Sequence, residues 1–313
     1  MTRTGDMAQP SRVEFRTLDG VTLRGDFFQA AGTGVPVVVM TQGLTLLKEH
    51  YIPDTARRFQ AAGVSALLYD HRGYGSSDGF PRHQTNPAQQ AEDYHDAVTA
   101  AGSLPGVDPA RICVWGIGHS GGASMISVAD DPRPAAVILN MPFISGAMDA
   151  RGFPDGLLAA AWREREAATR AGSWQPSYVR VWPDSPENAR GTGEQPLLRG
   201  EQPYAFITGG LARSEAAGTP WHNKITLQSF YHLARAEPRD LARKIKQRAL
   251  YIAAVEDPLT ATVEDHRAVF ETMGPNATFA VVEPDHLATY FGEPFERSVA
   301  VQLEFLRRVF ELG

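Results

Sequence analysis

Buried-strand and helical patterns alternate along the chain from Val35 to Asn140. The run from Val35 to Met40 is almost entirely β-branched or apolar, which is typical of a strand buried on both faces. Three more such strands alternate with three helical stretches: strands at Val64–Tyr69, Ile112–Trp115 and Ala136–Asn140, and helices at Tyr51–Ala62, Asn86–Ala101 and Gly121–Ala129. This order predicts an α/β fold with a doubly wound, mostly parallel sheet, because parallel strands need helical crossovers.

The alternation stops after Asn140. Residues 146–238 are rich in Gly, Pro, Trp and Arg and contain no buried-strand run, and their clear helical periods lie near Leu157–Ala168 and Thr226–Leu233. Strand and helix patterns then resume, with strands at Ala249–Ala254 and Phe279–Val282 and helices at His266–Met273 and Phe295–Phe310. We therefore expect a core made of residues 1–145 and 239–313, with residues 146–238 inserted as a cap or lid.

Composition excludes several classes of function. The net charge is −6 without a basic patch, so nucleic-acid binding is not expected. Cys113 is the single cysteine and the nine histidines are scattered, so we expect no disulfide and no metal site. No phosphate-binding or dinucleotide-binding glycine motif is present, and we expect no cofactor.

The chain also lacks membrane signals. No apolar run approaches the roughly 20 residues of a membrane span, and Met1–Pro10 lacks the apolar core of a signal peptide. We expect a cytoplasmic protein that binds a small-molecule substrate without membrane contact. The sequence leaves the oligomeric state open, with a homodimer as one option.

Several motifs in a fixed order resemble those of the α/β-hydrolase superfamily. They are the stretches 69–79, 108–122, 140–143 and 221–226 and the pair Asp285-His286. The chain looks most similar to the dienelactone-hydrolase-like and polyketide-hydrolase-like proteins of that superfamily. The resemblance covers nearly the whole chain and implies the α/β-hydrolase fold. It is much less specific for the reaction, because this fold hosts many chemistries.

The resemblance implies a catalytic acid and a catalytic base. Asp257 directly follows the strand after which similar proteins carry the acid, and Glu256 is the second choice. His286 follows the last strand, where such proteins carry the histidine. A histidine can exchange a proton near neutral pH, and a buried carboxylate fixes its tautomer.

Two registers are possible for the nucleophile, which in this fold sits on a sharp turn from strand to helix. A literal search finds Gly-x-Ser-x-Gly at residues 118–122, which makes Ser120 the nucleophile. Counting from the Asp-Pro-x-Arg-Ile start of the strand, as in similar proteins, instead places Gly118 at the turn. Their usual motif is Trp-Gly-x-Ser-x-Ser-Gly-Gly, so Gly118 would replace its first serine and Ser120 would match its second. We favour this second register.

The resemblance also implies where an oxyanion would bind. His119 follows the turn and offers a backbone N–H, and its ring could reach the substrate. After the third strand, Gln42 replaces the usual histidine, and Leu44 would donate the second backbone N–H. Aromatic residues of the insertion are candidates for lining an apolar substrate pocket, among them Trp162, Trp182 and Trp221.

Three functions follow as alternatives. The first is an enzyme that cleaves an ester, thioester or C–C bond of a polyketide-like or aromatic compound. The second is a non-hydrolytic lyase, cyclase or isomerase that uses His286 and Asp257 as an acid–base pair without a serine nucleophile. The third is a catalytically silent ligand-binding relative.

Overall fold

The computed structural model describes residues 8–312 and has an eight-stranded mixed sheet at its centre. The strands of this sheet are β1 Ser11–Arg16, β2 Thr22–Phe28, β3 Val35–Thr41, β4 Ser65–Tyr69, β5 Val107–Ile117, β6 Ala136–Asn140, β9 Arg248–Glu256 and β10 Ala277–Asp285. Their order is β1-β2-β4-β3-β5-β6-β9-β10. Strand β2 pairs antiparallel with both β1 and β4, and the six strands from β4 to the β10 edge are parallel. The predicted doubly wound, mostly parallel sheet is confirmed.

Helices cover both faces of the sheet. They are α1 Ile52–Ala61, α2 Pro87–Gly102, α3 His119–Asp130, α9 Val263–Phe270 and α10 Gly292–Phe310. Strand β3 shows the consequence: Val37 and Val39 pack in the core beneath α2, α3 and α9, whereas Val38 and Met40 pack in the core beneath α1 and α10. Burial on both faces explains why this strand reads as a continuous apolar run.

The chain between β6 and β9 lies outside the large sheet. It contains helices α4 Gly146–Asp149, α5 Leu157–Ala171, α6 Pro186–Arg190, α7 Glu201–Ala216 and α8 Leu227–Leu233, with a two-stranded sheet of β7 Tyr178–Val179 and β8 Ile225–Thr226. A third apolar cluster, which includes Trp182, Phe206 and Phe230, joins this segment to Leu46 and Tyr51 of the sheet side. The division of the chain into a core and a cap stays a prediction.

The sequence pattern does not predict helix α7. Its buried residues include Phe206, Ile207, Gly210 and Ser214, which do follow helical spacing. Two of these four are small or polar, so the buried face carries little hydrophobic signal. Within residues 8–312, the structure contains no helix with the length and apolar character needed to cross a bilayer.

Candidate active site

Gly118 occupies the sharp turn between β5 and α3. Its backbone angles are φ 54° and ψ −120°, a conformation that glycine adopts without the steric cost that a side chain brings. Its N–H donates to the carbonyl of Asn140 (3.0 Å), and its own carbonyl accepts from the N–H of Phe143 (2.7 Å). The residue at the tip of the turn is therefore Gly118.

His286 and Asp257 meet at the carboxyl ends of the last two strands. Nδ1 of His286 lies 3.0 Å from Oδ2 of Asp257, and both side chains are almost fully buried. The Asp257 carboxylate also accepts hydrogen bonds from the N–H of Leu259 (2.9 Å) and from the hydroxyl of Thr260 (2.6 Å). This arrangement makes Nδ1 the donor to the carboxylate and leaves Nε2 free to accept a proton.

The Asp257 carboxylate is held in its charged form. Burial alone would raise its pKa, but His286 and the hydrogen-bond donors outweigh burial and lower the pKa to about 2. On the other side of the ring, a Cβ built on Gly118 would stand 3.5 Å from Nε2 of His286. The histidine thus points at the place where a nucleophilic side chain would begin, and the residue there has none.

Ser120 does not face His286, which corrects its placement as a candidate nucleophile. Its side chain is 0% exposed and lies inside the first turn of α3. Its Oγ accepts from the N–H of Ile117 (2.8 Å) and donates to the carbonyl of Thr41 (2.8 Å). These bonds tie the turn to the end of β3, so the hydroxyl is structural.

Replacing Ser120 with alanine is therefore expected to lower stability rather than to remove a nucleophile. The change leaves the buried Ile117 N–H and Thr41 carbonyl without this partner, at a cost of about 1–3 kcal/mol in the free energy of unfolding. Urea unfolding measures the loss. Ser127→Ala is the matched control, since the Ser127 hydroxyl is buried in the same helix without a hydrogen-bond partner among the described residues. Equal losses in the two variants would contradict the structural role.

Two residues beside Gly118 and His286 carry backbone N–H groups that could bind an oxyanion. His119 is the first residue of α3 and Leu44 follows the end of β3, and both line the cavity described below. Within residues 8–312, neither N–H has a hydrogen-bond partner. Free N–H groups at a helix N-terminus and a neighbouring loop are the usual makings of an oxyanion hole.

The side chains of Gln42 and His119 are both engaged with the protein. The Gln42 amide donates to the carbonyl of His50 (2.6 Å), and its oxygen accepts from Tyr290 (3.1 Å) and from the next N–H of the chain (2.8 Å). Gln42 therefore shapes the loop and does not line the cavity. Nε2 of His119 lies 2.6 Å from Oε1 of Gln90, and burial, with a small contribution from His71, lowers the His119 pKa to about 3. Its ring is neutral.

A cavity of about 330 Å³ opens above Gly118 and His286. Its walls are mainly apolar and come from the sheet side and from residues 146–238; among them are Leu44, Phe143, Met148, Phe153, Leu198, Phe206, Leu233 and Leu287. The polar side chains on its surface include Asp149 and Thr260, which carried no recognisable motif in the sequence.

The three candidate tryptophans differ in where their rings lie relative to the cavity. Trp182 lines the cavity and donates from Nε1 to the hydroxyl of Thr45 (3.0 Å). Trp162 is 54% exposed and packs on Tyr231 at the surface, and Trp221 donates to the carbonyl of Thr45 without lining the cavity. The expectation that Trp162 and Trp221 line the pocket is wrong: the Trp162 ring packs on Tyr231 at the surface, and the Trp221 ring is hydrogen-bonded to Thr45 away from the cavity wall.

The sheet order, the sharp turn and the paired acid and histidine define an α/β-hydrolase architecture. The family model described as serine aminopeptidase S33 matches residues 35–283, and the chain belongs to this family of the α/β-hydrolase superfamily. It is an enzyme of that superfamily. The superfamily places its nucleophile on this sharp turn, and this chain carries Gly118 there. Within residues 8–312, no group of three or more His, Cys, Asp or Glu could hold a metal ion.

Several proteins similar to this chain are fungal. Over 95% of this chain, it is 33% identical to a polyketide transferase, ATR5, of Stachybotrys chlorohalonatus, of which 96% is covered. It is 32% identical to a thiohydrolase, apmlB, of Arthrinium phaeospermum, covering 97% of this chain and 98% of the relative. The crystal structure of the α/β hydrolase GrgF from Penicillium sp. sh18 superimposes with a TM-score of 0.79 at 31% identity, covering 96% of this chain and 99% of that one.

Proposed function

We propose that this protein is a cofactor-independent enzyme that moves a proton on a polyketide-like carbonyl compound through the His286–Asp257 pair, without forming an acyl-enzyme. The chemistry is that of a lyase, cyclase or isomerase. The observation that carries the proposal is the position of Gly118, which brings Nε2 of His286 to 3.5 Å from the site of a missing side chain.

The absent side chain changes what the histidine can do. In a serine hydrolase the histidine takes the proton of the nucleophile. Here the space in front of Nε2 is open to the cavity, so a substrate C–H or O–H can occupy it. The ionised Asp257 stabilises the imidazolium that forms, which suits direct general-base catalysis.

The surroundings suit a carbonyl group that gains negative charge. The unbonded N–H groups of Leu44 and His119 can donate hydrogen bonds to an enolate or a tetrahedral oxyanion. In the described part of the chain, residues 8–312, no Lys or Arg lines the cavity, and its walls are mostly apolar. A neutral, largely hydrocarbon substrate fits such a pocket, because burying a charge without a partner is costly.

The names of the relatives indicate the substrate class. The similar proteins include polyketide transferases and thiohydrolases. Chains of alternating carbonyl and methylene groups have acidic C–H bonds, which a histidine base can break. A polyketide-like carbonyl compound is therefore the substrate class that agrees with both the site and the relatives.

Thioester cleavage or transfer is the second candidate, and the names of the relatives favour it. In this case His286 would activate water or an acceptor hydroxyl, and the oxygen would attack the thioester carbonyl directly. Both candidates use the same base and the same N–H groups, and neither needs a side chain at position 118.

Turnover of simple probes tests the proposal. The probes are N-acetylcysteamine thioesters of 3-oxo acids with six to ten carbons, together with an aryl 1,3-diketone, and mass spectrometry identifies the products. We expect enzyme-dependent isomerisation, cyclisation or C–C cleavage of at least one probe. Thiol release with simple hydrolysis would favour the second candidate. Saturable binding without turnover of any probe would contradict both and indicate a silent binding protein.

A further inference from the structure

Asp149 is a carboxyl group on the wall of the cavity that the His286–Asp257 pair does not use. It is the last residue of α4, the four-residue helix that follows β6 and begins residues 146–238. It lines the same cavity as Gly118, His286 and the two N–H groups of the oxyanion hole. A substrate in this cavity can therefore contact Asp149 as well as His286.

The position of Asp149 is fixed by the backbone around it. Ser145 caps α4 by accepting from the N–H of Met148 (3.2 Å), and the N–H of Gly146 donates to the carbonyl of Ala236 (2.7 Å). A Cβ on Gly146 would stand 1.8 Å from the carbonyl oxygen of Leu233, so the helix approaches that chain as closely as glycine allows. These contacts fix the backbone that carries Asp149.

The charged groups around Asp149 include no partner that would hold it ionised. Within residues 8–312, its carboxyl group makes no hydrogen bond and no salt bridge. The neighbouring charges that act on it are the carboxylates of Glu237 and Asp257, and the guanidinium of Arg239 is paired with Glu237 (3.0 Å). Burial, reinforced by Glu237 and then Asp257, raises the pKa of Asp149 to about 7.

We propose that Asp149 is the proton donor of this cavity, in which His286 is the base. In an enolisation, His286 Nε2 takes the proton from the carbon beside the carbonyl, and the C–H electron pair becomes the C=C bond. The carbonyl π pair takes the proton of Asp149 and becomes the O–H bond of the enol. Asp149 is left as a carboxylate and His286 as an imidazolium, and the reverse transfers restore both. The inference rests on the proposed function.

This role accounts for how a site without a nucleophile could achieve catalysis. An acid and a base that act on one substrate from two sides avoid full charge development on the carbonyl oxygen. Such a pair needs a protonated acid and an unprotonated base at the same pH. Different surroundings can provide this by pushing the pKa values of two groups apart. In this cavity the two environments are those of a buried carboxyl near Glu237 and Asp257, and of a histidine paired with an ionised carboxylate.

The test is the pH dependence of kcat and KM with the N-acetylcysteamine thioester of 3-oxodecanoate as the probe. In the wild-type enzyme kcat should fall above about pH 7, because Asp149 loses its proton there. For Asp149→Asn we expect kcat to be about 100-fold lower and KM to change little, and the fall in rate above pH 7 should be absent. Glu237→Gln keeps an oxygen to accept the N–H of Ala147 but removes a negative charge near Asp149. It should lower the pKa of Asp149 and so move the alkaline loss of rate to lower pH.

The outcomes separate this inference from the function on which it rests. If Asp149→Asn keeps the wild-type rate and pH profile while His286→Ala loses activity, the proton-donor role is overturned and the proposed function survives. If His286→Ala also keeps full activity, the proposed function fails and this inference with it. An unchanged alkaline limb in Glu237→Gln would likewise contradict the role given to Asp149.

Discussion

Replacing Gly118 with serine is expected to create a nucleophile that the wild-type chain lacks. A Cβ at this position would stand 3.5 Å from Nε2 of His286 and 3.3 Å from its Cε1, so a hydroxyl attached to it can reach the base. A serine-directed fluorophosphonate should then label the variant stoichiometrically, and mass spectrometry of its peptides should place the label at position 118. The wild-type protein should remain unlabelled, because its Ser120 hydroxyl is buried and bonded to the backbone.

Gly118→Ala is the matched control for this variant. Both changes force a side chain into a backbone conformation with φ 54°, and each should cost about 1–3 kcal/mol of stability. Both should also crowd the His286 ring, but alanine carries no hydroxyl and should not react. Labelling of the wild-type protein at Ser120 would show that the register with Gly118 at the turn does not describe the working site.

Replacing His286 with alanine is expected to lower kcat on any productive probe by about 10²–10⁴-fold. The variant loses the group that moves the proton, while the cavity walls and the N–H groups of Leu44 and His119 remain in place. The loss should therefore fall mainly on kcat, with a small change in KM. Steady-state kinetics with the 3-oxoacyl thioesters gives both constants.

Two comparisons make the His286 result interpretable. Circular dichroism and urea unfolding should show that His286→Ala remains folded. Ser120→Ala, although less stable, should keep most of its turnover at a temperature at which it is folded, because its hydroxyl bonds the backbone. If Ser120→Ala loses as much turnover as His286→Ala while folded, the hydroxyl has a catalytic part that the geometry does not explain.

The sequence predicts both the sheet and the site residues at the carboxyl ends of its strands. Strands such as β3 are buried on both faces and carry a strong apolar signal, and the order of strands and helices then limits the topology. Counting along β5 placed Gly118 at the turn, where the structure has it. Asp257 and His286 follow consecutive parallel strands, whose carboxyl ends lie side by side, so their proximity could be expected.

The helices of residues 146–238 and the cavity wall could not be predicted in the same way. Helix α7 buries Gly210 and Ser214, which give no apolar period. The cavity joins residues as distant in the chain as Leu44 and Leu287, and no local pattern encodes such a convergence. Asp149 stands in a short helix without any motif around it, and its surroundings become visible only in three dimensions.

The most direct test of catalysis without a covalent intermediate is the mass of the wild-type enzyme during turnover. The enzyme is mixed with a productive 3-oxoacyl thioester, quenched in acid within the first turnovers and again at steady state, and its intact mass is measured. If no acyl-enzyme forms, the wild-type protein should keep its unmodified mass at every time point. Gly118→Ser under the same conditions is the positive control and should accumulate an acyl adduct. An acyl adduct on the wild-type chain, at Ser120 or elsewhere, would contradict catalysis without a covalent intermediate.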